Sequence, residues 1–274
     1  MKRRKIIGMI INIIMILLAV FWIYPYVWLL LSSFKPVDQI FTRFIPTKLT
    51  LQHYKFIFVT SERLERPFVR ALFNSIFISV TVTVLVIFTS SLVGYALSRI
   101  SFKGAKITSN FILFQMLFPG FMFIVPLFAL MRTLGFLDSY AALIFPSAMS
   151  AWGIFMFSQA FKTVPQDYID AAKIDGANRF WIIFRVLLPL SRTTASIVSL
   201  FTFIGTWDNF LWPLMVIKTP SKMPLAVLLA VFNHQYAGYI GPVLAGAVLQ
   251  TLPMLIIFWL LRDYFVKGIA FTLR

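Results

Sequence analysis

The chain has 274 residues, 60 % of them hydrophobic and 12 % charged, with a mean hydropathy of +0.88 and a formal net charge of +16. A soluble domain carries about 45–50 % apolar and about 25 % charged residues, so a single water-facing core cannot hide this much apolar surface, and the bilayer must be its solvent. The lack of cysteine excludes disulfides and thiolate chemistry, His53 and His234 match no metal-ligand spacing, and the basic residues flank apolar blocks, unlike the stripe that binds nucleic acid.

Taken in chain order, the basic run Met1–Lys5 precedes a charge-free run over 6–31. A signal-peptide core is about 7–15 residues long, so this longer run, which ends in the aromatic belt of Trp22, Tyr24, Tyr26 and Trp28, predicts an uncleaved first span at about 8–31. The outer loop over 36–68 contains Pro36, Pro46 and Pro67 and predicts a folded or docked surface segment. Further spans are predicted at about 71–98, 107–131, 139–161, 193–217 and 240–261, each close to the length of about 20 apolar residues that a bilayer requires. Pro119, Pro126 and Pro146 are expected to mark kinks or packing sites. The apolar stretch 223–232 is too short to cross and predicts an interfacial or re-entrant helix. The alternation of barrel strands is absent. The expected fold is therefore all-α: a polytopic membrane protein with six transmembrane helices in a single domain over 1–274. Lys and Arg are denser in the segments that share a side with the N-terminus, which predicts both termini in the cytoplasm of a cell-membrane protein.

The inner loop at about 162–192 is unusual, because connections within helical bundles run to about 2–8 residues. Pro165 suits a helix start, Asp167 and Asp170 favour its positive end, and Gly176 is placed to close it in a left-handed conformation. A second helix then carries Phe180, Trp181 and Phe184. Such a small-sided helix–turn–helix fits either a groove on a soluble partner or the lipid surface. Asp170 and Asp175 argue against lipid, since anionic headgroups repel them.

The stretch Asp170-Ala-Ala-Lys-Ile-Asp-Gly-Ala177, followed by Phe and then Leu-Pro, resembles the Glu-Ala-Ala…Gly loop of binding-protein-dependent ABC importer permeases. Asp170 stands where that family usually has Glu. Asn74-Ser-Ile-Phe, Gly94-Tyr-Ala-Leu-Ser-Arg99 with Phe102-Lys-Gly104, Pro126-Leu-Phe, Leu134-Gly-Phe-Leu-Asp138 and Trp207-Asp-Asn-Phe-Leu-Trp-Pro213 are similar to the carbohydrate branch, in particular the smaller inner-membrane permease of maltose-type transporters. The last residues, Gly268–Arg274, depart from that family's usual ending. The resemblance implies a type I importer permease fold and half of an alternating-access pathway for a sugar or oligosaccharide. It implies a second permease as heterodimer partner, an extracellular solute-binding protein and a cytoplasmic ATP-binding subunit dimer. Asp170, Ala171, Ala172, Asp175, Gly176 and Ala177 would couple to that ATPase. ATP and Mg would sit on the ATPase and no cofactor on this chain, which has no Gly-x-x-x-x-Gly-Lys-Ser/Thr loop and is expected not to be an enzyme. The alternative cargo is amino acids, peptides or phosphonates.

Asp208 is the one charge within a predicted span, and such residues usually face a cavity or a partner. With Trp207, Asn209, Trp212 and Asn74 it is a candidate for the substrate pathway, offering polar groups and aromatic faces that suit a sugar. The bland reading puts Asp208 at the outer interface or against the partner permease. Asn110, Gln115 and Gln250 are weaker candidates, since polar residues in spans more often join helices.

Overall fold

A computed structural model describes residues 2–63, 67–235 and 240–272. The regular secondary structure of the described residues is helical, with no strand among them. They cluster into two compact units, one of residues 1–69 with 228–253, the other of 70–227 with 254–274. Three helices are long and apolar enough to cross a membrane, or six if each of three bent pairs counts as one span.

In the first unit, α1 (Lys2–Ser33) leaves its large apolar residues from Ile6 to Val27 exposed, so its long side chains need lipid, not protein, as solvent. The outer segment that follows is folded. Ile40 and Ile57 are fully buried, Thr50 N donates to Phe34 O at 2.8 Å, and helical turns run over Gln52–Lys55, Phe56–Thr60 and Ser61–Arg63. His53 is a core histidine, its Nε2 lying 2.8 Å from Lys35 O. His234 has no described side chain.

In the second unit, α2 (Phe68–Arg99) is inside-out by the standard of a water-soluble helix. Its buried stripe includes Asn74, Ser75, Ser79, Ser90 and Ser91, while Phe73, Phe77, Val80, Val84 and Phe88 face outward. Small residues let helix backbones approach closely where no hydrophobic force drives association. Gly94 shows this directly: a Cβ there would stand 2.9 Å from Phe157 Cβ.

Three expected spans are broken. The span over 107–131 is α3 (Ala105–Gln115) and then a turn at Gly120–Phe123 leading into α4 (Ile124–Thr133), with a bend of 96°. Pro119 causes it, because it lacks an N–H and disfavours helical backbone at Phe118. The span over 139–161 bends by 40° between Tyr140–Ser147 and α5 (Ala151–Thr163), with Pro146 beside the bend and Ser150 Oγ accepting from Gly153 N at 3.1 Å to start α5. Beyond α6 (Gln166–Ile174), the span over 193–217 is α7 (Arg192–Trp207), which bends by 88° from the helical stretch Arg179–Leu190 before it, then an interruption at Asp208–Phe210 and a short helix at Leu211–Val216. A helix running through Asp208 would oppose Pro213 to the Asn209 carbonyl, which the proline ring cannot accept, so the second helix starts late enough to place Pro213 in its first turn.

The stretch expected as an interfacial or re-entrant helix is α8 (Leu225–Gln235). Leu225, Val227, Leu228, Leu229 and Phe232 are all buried, so protein and not the headgroup layer covers it. The final helix α9 (Ile240–Thr272) continues past the expected end at 261.

Asp138 closes one end of the second unit. It holds φ +57, a conformation Asp tolerates better than most residues. Its Oδ1 accepts from the Lys218 and Thr219 backbone N–H groups, both at 2.9 Å, and its Oδ2 accepts from Thr219 Oγ1 at 2.6 Å and Lys222 Nζ at 3.3 Å. Partial burial pushes the carboxyl up, but the hydrogen bonds from Thr219, Lys218 and Lys222 outweigh it and hold the acid well below the usual carboxylate range. A depressed folded pKa gives stability that is fully present above the unfolded value of about 3.9 and is lost as pH falls from there through the folded value. The drop in melting temperature caused by Asp138→Ala should therefore be constant from about pH 8 to about pH 5 and shrink only below about pH 4, as read by thermal unfolding in detergent.

Candidate coupling loop and pathway cavity

The loop begins where α5 ends. Val164 is extended at the helix end, and Pro165 (φ −55, ψ 140) turns the chain into α6 (Gln166–Ile174). Asp167 lies in the first turn of α6, at the positive end of the helix dipole. Asp170 Oδ1 accepts from Lys173 Nζ at 2.9 Å and from Gln166 Nε2 at 3.0 Å, and these two bonds hold its carboxyl below its ordinary range. Ile169 and Ala172 are buried and fasten α6 to the body. Ala171, Asp175 and Gly176 are exposed, Ala177 is half-buried, and Ile174 is 87 % exposed at the tip.

Gly176 has φ +79. Its N–H donates to Lys173 O at 3.0 Å, and Ala177 N–H reaches back to Ala172 O at 2.9 Å, the paired closure of a helix that ends in a left-handed residue. Asn178 then opens the second helix, its Oδ1 accepting from Trp181 N at 2.9 Å. The three aromatics expected as one stripe divide. Phe180 and Trp181 are exposed, while Phe184 stacks on Phe88 at 5.5 Å.

One further residue ties this loop to the bundle. Arg99, the last residue of α2, donates Nε to Phe161 O at 3.1 Å and Nη1 to Gln166 Oε1 at 2.9 Å, and Nη2 reaches both Phe161 O and Val164 O. Its guanidinium therefore binds the carbonyls at the end of α5 and grips the first residue of α6. By sequence it closes the Gly94-Tyr-Ala-Leu-Ser-Arg99 motif and is a basic residue at a span end, which loop charge alone would explain.

The second feature is a half-open cavity of about 330 Å³ among α2, α5 and α7, walled by Val82, Val86, Trp152, Phe201, Thr202 and Asn209, among others. Of the pathway candidates, Asn209 lines it. Trp207 is buried and stacks on Phe203 at 5.7 Å. Trp212 is buried and donates Nε1 to Ala142 O at 2.8 Å. Asp208 is exposed at the end of α7 and is not among the cavity walls, and Asn110 and Gln115 are exposed on α3.

Asn74 is a latch. Its Nδ2 donates to Ser221 O at 2.9 Å and Met223 O at 3.1 Å, and its Oδ1 accepts from Tyr140 Oη at 2.7 Å. These bonds occupy its amide and fasten α2 to the chain before α8. Asn74→Ala leaves those partners unpaired, each at about 1–3 kcal/mol. The expected result is a clearly lower melting temperature with an unchanged KM for uptake; a raised KM at wild-type stability would make Asn74 a substrate contact.

Residues 87–270 match the family described as binding-protein-dependent transport system inner membrane component. The chain belongs to this family. The arabinooligosaccharide transport system permease AraQ of Halalkalibacterium halodurans is 31 % identical and covers 98 % of each chain. The trehalose/maltose transport system permease MalG of Thermococcus litoralis is 32 % identical over 93 % of this chain and 92 % of its own. The lactose transport system permease protein LacG of Rhizobium radiobacter is 29 % identical, covering 99 % of this chain and 98 % of its own. In three dimensions the chain superimposes with a TM-score of 0.84 on a chain of a bacterial ABC transporter that imports alginate, at 24 % identity, covering 97 % and 98 %. The expected fold of an importer permease is thus the observed one, and the permease is a membrane component.

Proposed function

We propose that this permease forms half of the translocation pathway of an ATP-driven importer of sugars or oligosaccharides, and that the loop 162–192 couples it to a separate ATPase. The observation that carries this reading is the knob of α6: a short, firmly anchored helix that ends in a left-handed glycine and presents Ile174, Ala171 and Asp175 outward. An apolar tip rimmed by charge suits a protein groove. The names of the sugar-transport relatives supply the cargo class. On this reading both termini and the knob are cytoplasmic. Two ATP-binding subunits hold ATP and Mg, a second permease completes the pathway, and an extracellular binding protein delivers the sugar. Closure of the ATPase dimer draws the knobs together and rocks the spans between inward- and outward-facing states.

The test is reconstitution of the complex copurified with this chain into vesicles. ATP-dependent uptake of labelled arabinotriose, lactose or maltotriose supports the proposal. Uptake of amino acids or peptides alone would replace the cargo class, and flux without ATP would make the protein a channel.

A further inference from the structure

The cavity among α2, α5 and α7 sits at mid-depth in the span, since Val82 and Val86 straddle the midpoint of α2. Transporter sites lie near that depth. Lipid there offers no hydrogen bonds, yet Ser147, Thr202 and Asn209 line the cavity with side chains that have no hydrogen-bond partner among the described residues. Beside them Trp152 and Phe201 meet edge to face, ring centroids 5.6 Å apart, and Phe201 is 56 % exposed. The cavity walls include no ionisable side chain.

We propose that this cavity is the sugar-binding face that the chain contributes to the pathway, and that its cargo is a neutral oligosaccharide. The inference rests on the sugar-importer reading above. Trp152 and Phe201 provide a platform for the apolar face of a sugar ring, and Ser147, Thr202 and Asn209 take its hydroxyls. This is the division of labour expected of a pocket in which a few polar groups set orientation. An acidic sugar would bring carboxylates to mid-membrane depth against walls that supply no counter-charge, and unpaired buried charge is strongly disfavoured. The aromatic platform is therefore Trp152 with Phe201, and not Trp207 or Trp212, whose indoles are packed away.

The chain contains no cysteine, so single cysteines report cleanly. In the assembled complex, Thr202→Cys and Asn209→Cys should react with a water-soluble maleimide, while Val84→Cys, exposed on the opposite side of α2, stays unlabelled in lipid. Arabinotriose or maltotriose, with binding protein and ATP, should slow the labelling at least about fivefold, and digalacturonate should not. Trp152→Ala should cut uptake of the same neutral sugar at least about tenfold with ATPase stimulation retained, and Trp152→Phe should recover most of it. If the wild type imports a neutral sugar but the cysteines stay unlabelled or unprotected, or Trp152→Ala transports like wild type, this site is wrong and the importer reading stands. Protection by digalacturonate instead of the neutral sugars overturns the neutral-cargo claim. If the wild type imports no sugar at all, both fall together.

Discussion

Gly176→Pro is expected to lower ATP hydrolysis stimulated by loaded binding protein at least about tenfold in vesicles, with the chain still inserted. Gly176 holds φ +79, and its N–H donates to Lys173 O at 3.0 Å. Proline is fixed near φ −65° and has no N–H, so it removes the bond and forbids the turn, a combined cost on the order of 2–3 kcal/mol at the end of α6. A tenfold change corresponds to about 1.4 kcal/mol, so that cost suffices. The rest of the series separates backbone shape from bulk. A Cβ at position 176 would meet nothing within 4 Å, so alanine pays only the left-handed penalty of about 1–2 kcal/mol and should be intermediate. Asparagine tolerates that conformation and should keep most of the stimulation. Wild-type stimulation in the proline variant would remove the knob from the coupling path. Asp170→Lys should uncouple as well, because it replaces an acceptor shared by Lys173 and Gln166 with a second cation one turn from Lys173.

Much of this knob was legible in the sequence, and the spans were legible only in part, for one physical reason. Gly176 and Pro165 act through their own backbone geometry, which needs no knowledge of neighbours. The breaks at Pro119 and at Asp208–Phe210 lie within runs that are long and mostly apolar. In lipid, an apolar side chain fits equally well inside or outside the bundle, so hydropathy does not register where a helix ends. Pro213 held the needed signal, because it forbids a helical bond to Asn209 O, but the apolar residues on both sides of Asp208-Asn209 masked it. The pathway candidates divide for a different reason: Asn209 lines the cavity, while others are held by distant partners. Trp212 and Asn74 are polar-tipped residues in spans, and what distinguishes a latch from a ligand contact is a partner 70 or more residues away, such as Ala142 for Trp212 or Ser221 for Asn74. Trp152 and Phe201 form no local motif at all; only folding brings α5 and α7 together.

Arg99→Met is expected to disconnect the knob from the bundle. The guanidinium at the end of α2 meets Phe161 O, Val164 O and Gln166 Oε1 at once, so one side chain joins the last turn of a span, the end of α5 and the first residue of α6. Hydrogen bonds to a charged group contribute about 1.5–3 kcal/mol each when shielded from water. Arg99 is half-buried, so the total is smaller than their sum, but methionine keeps the apolar stem and loses all of it. Amide exchange in α6 and across 178–181 should accelerate, while exchange in the middle of α2 stays slow, because that region is held by its own packing. Coupled uptake should fall at least about tenfold as ATP hydrolysis persists without transport. Arg99→Lys decides between two accounts of the residue. If it were only a loop charge that orients the chain, lysine would replace it fully. If its planar fork is what spans three acceptors, lysine can satisfy only part of the set, and both exchange and uptake should fall between wild type and methionine. Slow exchange in α6 together with full uptake in the methionine variant would mean that force reaches the spans by another route, through the buried contacts of Ile169 and Ala172.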